Sequence, residues 1–218
     1  MKRNQSGFTL IEIAIVLVII GLLLGGVLKG QELINSAKVK NLASDFRNIP
    51  IYIYGYQDKY KALPGDDDAA LAHVSGVVAT TPTGKVANGV INGVWNTTTI
   101  TDETWLFWQH IRLAGFGPGS TDNTAAQSAY IPKNAVGGYL GITNSVNNNP
   151  ITGLKGTYIV CSDAIAGKFA KQLDTTLDNG DPASGSVMIT AAGTSSAGAA
   201  KTLAQVTDDD TFLVCMGY

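Results

Sequence analysis

The chain has 218 residues, 15% of them charged and 8% aromatic, with two cysteines and a formal net charge of −2. That length allows one domain plus a long appendage. Residues 29–61 carry six basic and three acidic side chains, net +3, whereas residues 62–218 carry seven and thirteen, net −6. An acidic bulk without a basic run argues against nonspecific binding of phosphate backbones, so no nucleic-acid partner is expected. Few charges among many Gly, Ala, Thr, Ser and Asn suit a secreted or filament surface better than a cytosolic enzyme.

The chain opens MKRNQSGFTLIEIAIVLVIIGLLLGG. Lys2 and Arg3 form a short basic head ending at Gly7, and the apolar run Phe8–Leu28 then supplies 21 positions with Glu12 as its one charge. About 20 apolar residues cross a bilayer core, and the basic head reads as cytoplasmic. In an ordinary secretory signal the small-residue cleavage site follows the apolar stretch. Here Gly7 precedes it, so cutting there keeps the apolar helix. A plain single-pass anchor is the simpler alternative, but an anchor needs no buried acid.

The junction Gly7-Phe8-Thr9-Leu10-Ile11-Glu12, with the apolar helix behind it, resembles that of type IV pilins and pseudopilins. The resemblance covers roughly the first 60 residues. It implies cleavage between Gly7 and Phe8 by a membrane-embedded prepilin peptidase, which then methylates the new Phe8 amine. Glu12 lies four residues after that amine, so the two can pair along one helix. The resemblance implies a second use, in which Glu12 of one subunit attracts the Phe8 amine of a neighbour and sets filament register. An unpaired carboxylate in hydrocarbon is costly, so a partner at the right height is favoured. An acid snorkelling to the interface is the bland alternative. Gly21/Gly25 and Gly26/Gly30 make small-xxx-small pairs that allow close helix approach. Glycine also weakens helices, so local melting over Gly21–Gly26 in a packed filament is a further expectation.

Beyond Leu28, the residues Leu42, Phe46, Ile49, Ile53, Tyr56 and Tyr60 recur at spacings of 4, 3, 4, 3 and 4, one face of a helix. Pro50 inside that pattern predicts a kink. The aromatic members of the stripe read as core. Leu63-Pro64-Gly65 predicts the turn that ends the stem, with Asp66 capping a short helix Asp67–His73. The Asp66-Asp67-Asp68 run reads as helix N-terminus plus solvated surface rather than a cation site. Ala87–Trp95 reads as a strand or hairpin around Asn92-Gly93. Thr101 reads as the N-cap of a helix from Asp102 to about Ala114. Trp105, Leu106, Phe107, Trp108, His110 and Leu113 on it make either core or an adhesive patch, and core is preferred. His110 stands alone and receives no metal role.

Strands are predicted at Gly138–Thr143, Thr157–Cys161, Ser186–Ala191 and Thr211–Met216, a helix at Ala164–Leu173, and polar loops at Asn144–Pro150 and Thr194–Lys201. The predicted fold class is α+β: a long N-terminal helix, membrane-spanning in its first half, packed against a head with an antiparallel β-sheet. The expected division is leader 1–7, transmembrane and assembly helix 8–28, amphipathic stem 29–61 and head 62–218.

By the membrane reading the head lies in an oxidising compartment, so Cys161 and Cys215 are expected to form one disulfide, with two buried free thiols as the alternative. Asp174, Asp178, Asn179 and Asp181 surround Gly180, and their oxygens suit Ca²⁺. A helix end followed by an Asn-Gly turn explains the same residues, and the segment lacks the EF-hand pattern. No resident cofactor is expected. No GxSxG, HExxH or P-loop is present, and no catalytic function is expected.

The function expected is a structural prepilin of a type IV pilus or related filament, polymerising through its apolar helix. The alternatives are a type II secretion pseudopilin and a minor tip pilin acting as adhesin or DNA receptor. Its partners would be other subunits, the prepilin peptidase, and the inner-membrane platform and motor, the last two implied by the resemblance alone. The chain would sit in the inner membrane with a periplasmic head, then in an extracellular pilus or periplasmic pseudopilus.

Overall fold

The computed structural model describes residues 10–218. The chain divides into two compact units, residues 1–38 and 39–218. Helix α1, Leu10–Tyr60, contributes to both and is 51 residues long. Within the first unit every residue from Leu10 to Lys29 is exposed.

In the second unit α1 buries Leu42, Phe46, Ile49, Ile53 and Tyr56, the stripe that the 4-3-4-3 spacing predicts. Each large aliphatic or aromatic side chain in it contributes about 1.5–3 kcal/mol of burial. Pro50 does not divide the helix, which is continuous across it. Having no N–H, Pro50 leaves the Phe46 carbonyl without its usual donor. The Tyr218 hydroxyl donates to that carbonyl instead, at 2.5 Å.

After Tyr60 the chain turns out of the helix at Lys61, whose φ is 58°. Leu63, Pro64 and Gly65 are buried. Gly65 has a φ of +92°, and any Cβ there would strike the Glu103 carbonyl. Helix α2 covers Ala70–Val74, shorter and later than the predicted Asp67–His73, and Asp66 does not cap it. The carboxylate of Asp66 accepts instead from the Asn88 and Gly89 amides.

The predicted strand at Ala87–Trp95 is absent. Its amides are held by side chains, those of Asn88 and Gly89 by Asp66 and that of Asn92 by Glu103, so no ladder forms. Helix α3, Glu103–Leu113, matches the Trp-rich segment, with Asp102 rather than Thr101 at its N-cap. A short helix α4, Gln127–Tyr130, has no counterpart in the sequence reading. The same is true of the 3-10 turn Leu203–Gln205.

Strands β1 (Leu140–Asn144), β2 (Tyr158–Ala166), β3 (Val187–Ala191) and β4 (Thr211–Gly217) form one sheet in the order β1-β2-β4-β3. All neighbours are antiparallel. The architecture is α+β, as the pattern predicts. Helix α5, Gly167–Leu177, starts three residues later than predicted, because β2 runs on to Ala166 through an irregularity between Ser162 and Ile165.

The sheet is covered on both faces. Val160, Val214 and Phe212 join the core formed with α1, α3 and α5, while Ile159, Cys161, Leu213 and Cys215 pack with Trp95, Ile151 and Leu154. Two-sided burial explains why the central strands read as unbroken apolar runs. On β1 there is no room for a side chain at position 141, where a Cβ would meet the Trp95 carbonyl.

Candidate assembly elements and the polar core

The apolar half of α1 is long and apolar enough to cross a membrane, and none of its most apolar stretch is buried against protein. Exposed apolar surface of this extent is costly in water. Glu12 lies in the first turn of this helix, where the N-terminal dipole favours negative charge. Gly7 and Phe8, the predicted processing pair, lie outside the described residues. Gly21, Gly25, Gly26 and Gly30 meet no atom within 4 Å where a Cβ would stand, so these faces are open to a neighbouring helix. In this single chain the segment is helical throughout.

Cys161 and Cys215 face each other on β2 and β4 and are joined as a disulfide across 54 residues of chain. It sits in the core between the sheet and the loops around Trp95 and Ile151.

Of the residues considered for calcium, Asp178, Asn179 and Asp181 accept hydrogen bonds within the turn after α5. Among the described residues no group of three or more His, Cys, Asp or Glu side chains is arranged to hold a metal ion. Asp178 accepts from the Ser186 and Val187 amides, at 2.6 and 3.1 Å. Asn179 accepts from the Asp181 amide, and Asp181 accepts from the Ala183 amide and the Ser184 hydroxyl. These side chains close the turn after α5. Asp174 differs: it is fully buried on α5 and neither carboxylate oxygen has a hydrogen-bond donor. Burial, aided by the negative charges of Asp178 and Asp181, raises its carboxyl to about 6.

A second buried polar group was missed in the sequence. Asp66 and Asp67 are buried at 4% and 1% exposure, the reverse of the solvated surface expected of them. Tyr56 on α1 donates to Asp67 Oδ2 at 2.7 Å, and His73 Nδ1 meets the same oxygen at 2.7 Å. His110 accepts the Gly65 amide at Nδ1, which leaves Nε2 to carry the proton donated to the Val77 carbonyl. Burial lowers the His110 pKa, consistent with this neutral form. Its role is to fasten the turn after α1 to α3.

Glu103 is fully buried, and its Oε2 accepts from the Asn92 amide and side chain while Oε1 has no partner. Burial raises its carboxyl to about 7, although the two Asn92 contacts oppose the shift. Arg112 is buried and forms no ion pair with a carboxylate among the described residues. Its three guanidinium nitrogens donate to the carbonyls of Pro118, Ser120 and Tyr130, and its charge lies 4.9 Å from the Tyr130 ring centre. The Trp-rich segment is core: Trp105, Leu106, Phe107 and Trp108 are all buried, which removes the adhesive-patch reading.

Residues 2–28 match the family model described as the prokaryotic N-terminal methylation motif, the signal of type IV pilins and pseudopilins. The motif supports a type IV pilin-like or pseudopilin protein, and implies processing by prepilin peptidase and polymerisation. The apolar helix behind it is consistent with membrane anchoring. No curated protein and no solved structure matches the chain.

Proposed function

We propose that this chain is a structural prepilin, a subunit of a type IV pilus or a related filament, and not an enzyme. The observation that carries the reading is the methylation signal at residues 2–28, running into a helix whose residues Leu10–Leu28 are all exposed. In this reading the peptidase cuts between Gly7 and Phe8 and methylates the Phe8 amine. The inner-membrane platform and motor then lift the helix out of lipid into a bundle of its copies. Glu12 pairs with the Phe8 amine of a neighbour, since a carboxylate moved into an apolar bundle needs a cation to offset its desolvation. The disulfide-closed head coats the filament.

Mass spectrometry of filaments sheared from the cell surface tests this reading. The expected result is that this chain predominates, begins at N-methylated Phe8 and is two hydrogens lighter at Cys161 and Cys215. A processed chain confined to the envelope, or present in trace amounts, would move the assignment to a pseudopilin or a minor pilin. A chain that keeps residues 1–7 in cells with an active peptidase would overturn it.

A further inference from the structure

A solvent-facing stripe of α1 carries large apolar side chains that the isolated molecule does not use. Lys40, Ser44, Arg47, Ile51 and Tyr54 follow one another at spacings of 4, 3, 4 and 3, and all are exposed. Ile51 is 63% exposed and Tyr54 57%. The stripe is basic toward its N-terminal end and apolar toward its C-terminal end.

Elsewhere on the same helix, Asp45, Asn48, Ile49 and Tyr52 border a groove of about 180 Å³, with Trp108 and Ile111 of α3 among its other walls. Among the described residues Asp45 makes no ion pair or hydrogen bond. Lys133, the one cation lining the groove, lies 5.7 Å from the Tyr139 ring centre rather than against Asp45. The groove is thus apolar with one partly desolvated acid at the N-terminal end of its α1 wall, and that acid lacks a base.

Two residues along an α-helix correspond to a rotation of about 200°. Arg47, Ile51 and Tyr54 therefore lie nearly opposite Asp45, Ile49 and Tyr52. Stripe and groove also match end for end in two parallel copies, base against acid and apolar against apolar. A contact between different sides of identical molecules is heterologous, and it propagates into a filament when the rotation does not close.

We propose that this groove receives the Arg47–Ile51–Tyr54 stripe of a second copy of this chain, in parallel orientation, with Arg47 of one copy against Asp45 of the next. The inference rests on the filament reading above and adds to it a contact outside the apolar segment.

Two sets of full-length variants, expressed in cells with the assembly machinery, test it. Asp45→Arg and Arg47→Asp are each expected to lower the yield of sheared filaments at least about tenfold, and the double swap to restore it, because a mispaired charge at an interface costs more than a tenfold factor in association. Asn48→Cys and Ile51→Cys chains, co-expressed, are expected to give a disulfide-linked dimer on non-reducing gels of filaments. Neither variant alone should do so. The native cysteines are bonded to each other, and no free cysteine is present among the described residues. Ile51 is exposed, and unchanged melting of both chains would establish that the head still folds.

Filaments of normal yield from the co-expressed Asn48→Cys and Ile51→Cys chains with no mixed cross-link, charge variants that assemble normally, or a cross-link to a different protein would each overturn the interface while leaving the filament reading intact. Failure of the wild-type chain to polymerise at all would fail the filament reading itself, and the interface with it.

Discussion

Glu103 places a carboxyl where charge is least welcome, between α3 and the loop it holds, with one oxygen dry. Its pKa of about 7 lies above the ordinary 4.5, so between those values the folded chain binds more protons than the unfolded chain. Stability contributed by this group is present in full below about pH 4.5 and falls as pH rises through about 7. The full difference amounts to roughly 3 kcal/mol. Thermal unfolding of the detergent-solubilised chain at pH 5 and pH 8 should show the loss, and Glu103→Gln should flatten it. An unchanged slope in the variant would assign the pH dependence elsewhere. Tyr218 offers a different test at the same scale. Burial holds its phenol at about 12, so it donates to Phe46 at any physiological pH. Tyr218→Phe should cost about 1–2 kcal/mol by leaving that carbonyl without a donor. In a Pro50→Ala background the restored amide can supply the bond, and the cost should shrink. Equal losses in both backgrounds would remove the link between Pro50 and Tyr218.

Two elements depend on how their ends are tied. Strands β2 and β4 are cross-linked at Cys161 and Cys215, 54 residues apart. Loop-closure entropy of that span is worth about 4 kcal/mol, so Cys215→Ser or full reduction should lower the melting temperature by a corresponding margin. Helix α5 carries its own cost. Asp174 sits buried in its last turns, where the helix dipole disfavours a negative charge, next to Asp178 and Asp181. Its raised pKa has the same sign as that of Glu103, with the stability contribution lost as pH rises through about 6. Asp174→Asn should therefore raise the melting temperature at pH 8 and leave it nearly unchanged at pH 5. A gain of equal size at both values would point to packing rather than charge. Were these residues a calcium site instead, added calcium would stabilise the wild-type chain, and the Asp178, Asn179 and Asp181 hydrogen bonds argue that it will not.

At the scale of the whole molecule, the N-terminal signal and the head answer to different surroundings. Among the described residues the buried side-chain polar atoms of the head have partners within the fold except Glu103 Oε1 and the two Asp174 oxygens, whereas Leu10–Lys29 of α1 are exposed. If Glu12 sets register between copies, Glu12→Ala should leave cleavage and methylation at Phe8 intact and reduce filaments at least about tenfold, since an unmatched charge in an apolar bundle is worth a few kcal/mol. Mass spectrometry of the membrane fraction and the yield of sheared filaments read the two effects separately. Loss of processing in the variant would place Glu12 in recognition by the peptidase instead.

Local pattern by itself determined the class of molecule. The small residue before the apolar run, the acid at position 12, the 4-3-4-3 stripe on α1 and the four apolar strand runs are all periodic or positional signals, which need no knowledge of distant contacts. Tertiary structure alone decided the use of polar residues. Asp66 and Asp67 followed a Pro-Gly turn, and exposure was the natural expectation; in the fold they are buried where Tyr56 of α1, His73 of α2 and the 88–89 amides of the loop before α3 meet their oxygens. Residues 87–95 alternate weakly like a strand, but the amides of Asn88 and Gly89 donate to Asp66 and that of Asn92 to Glu103 rather than to a partner strand. Arg112 gave no signal at all, since its three carbonyl partners come from residues 118, 120 and 130, which only the chain path beyond α3 brings together. Hydrophobic periodicity is a property of neighbours along the chain, whereas satisfying a buried charge depends on groups that only the fold makes neighbours.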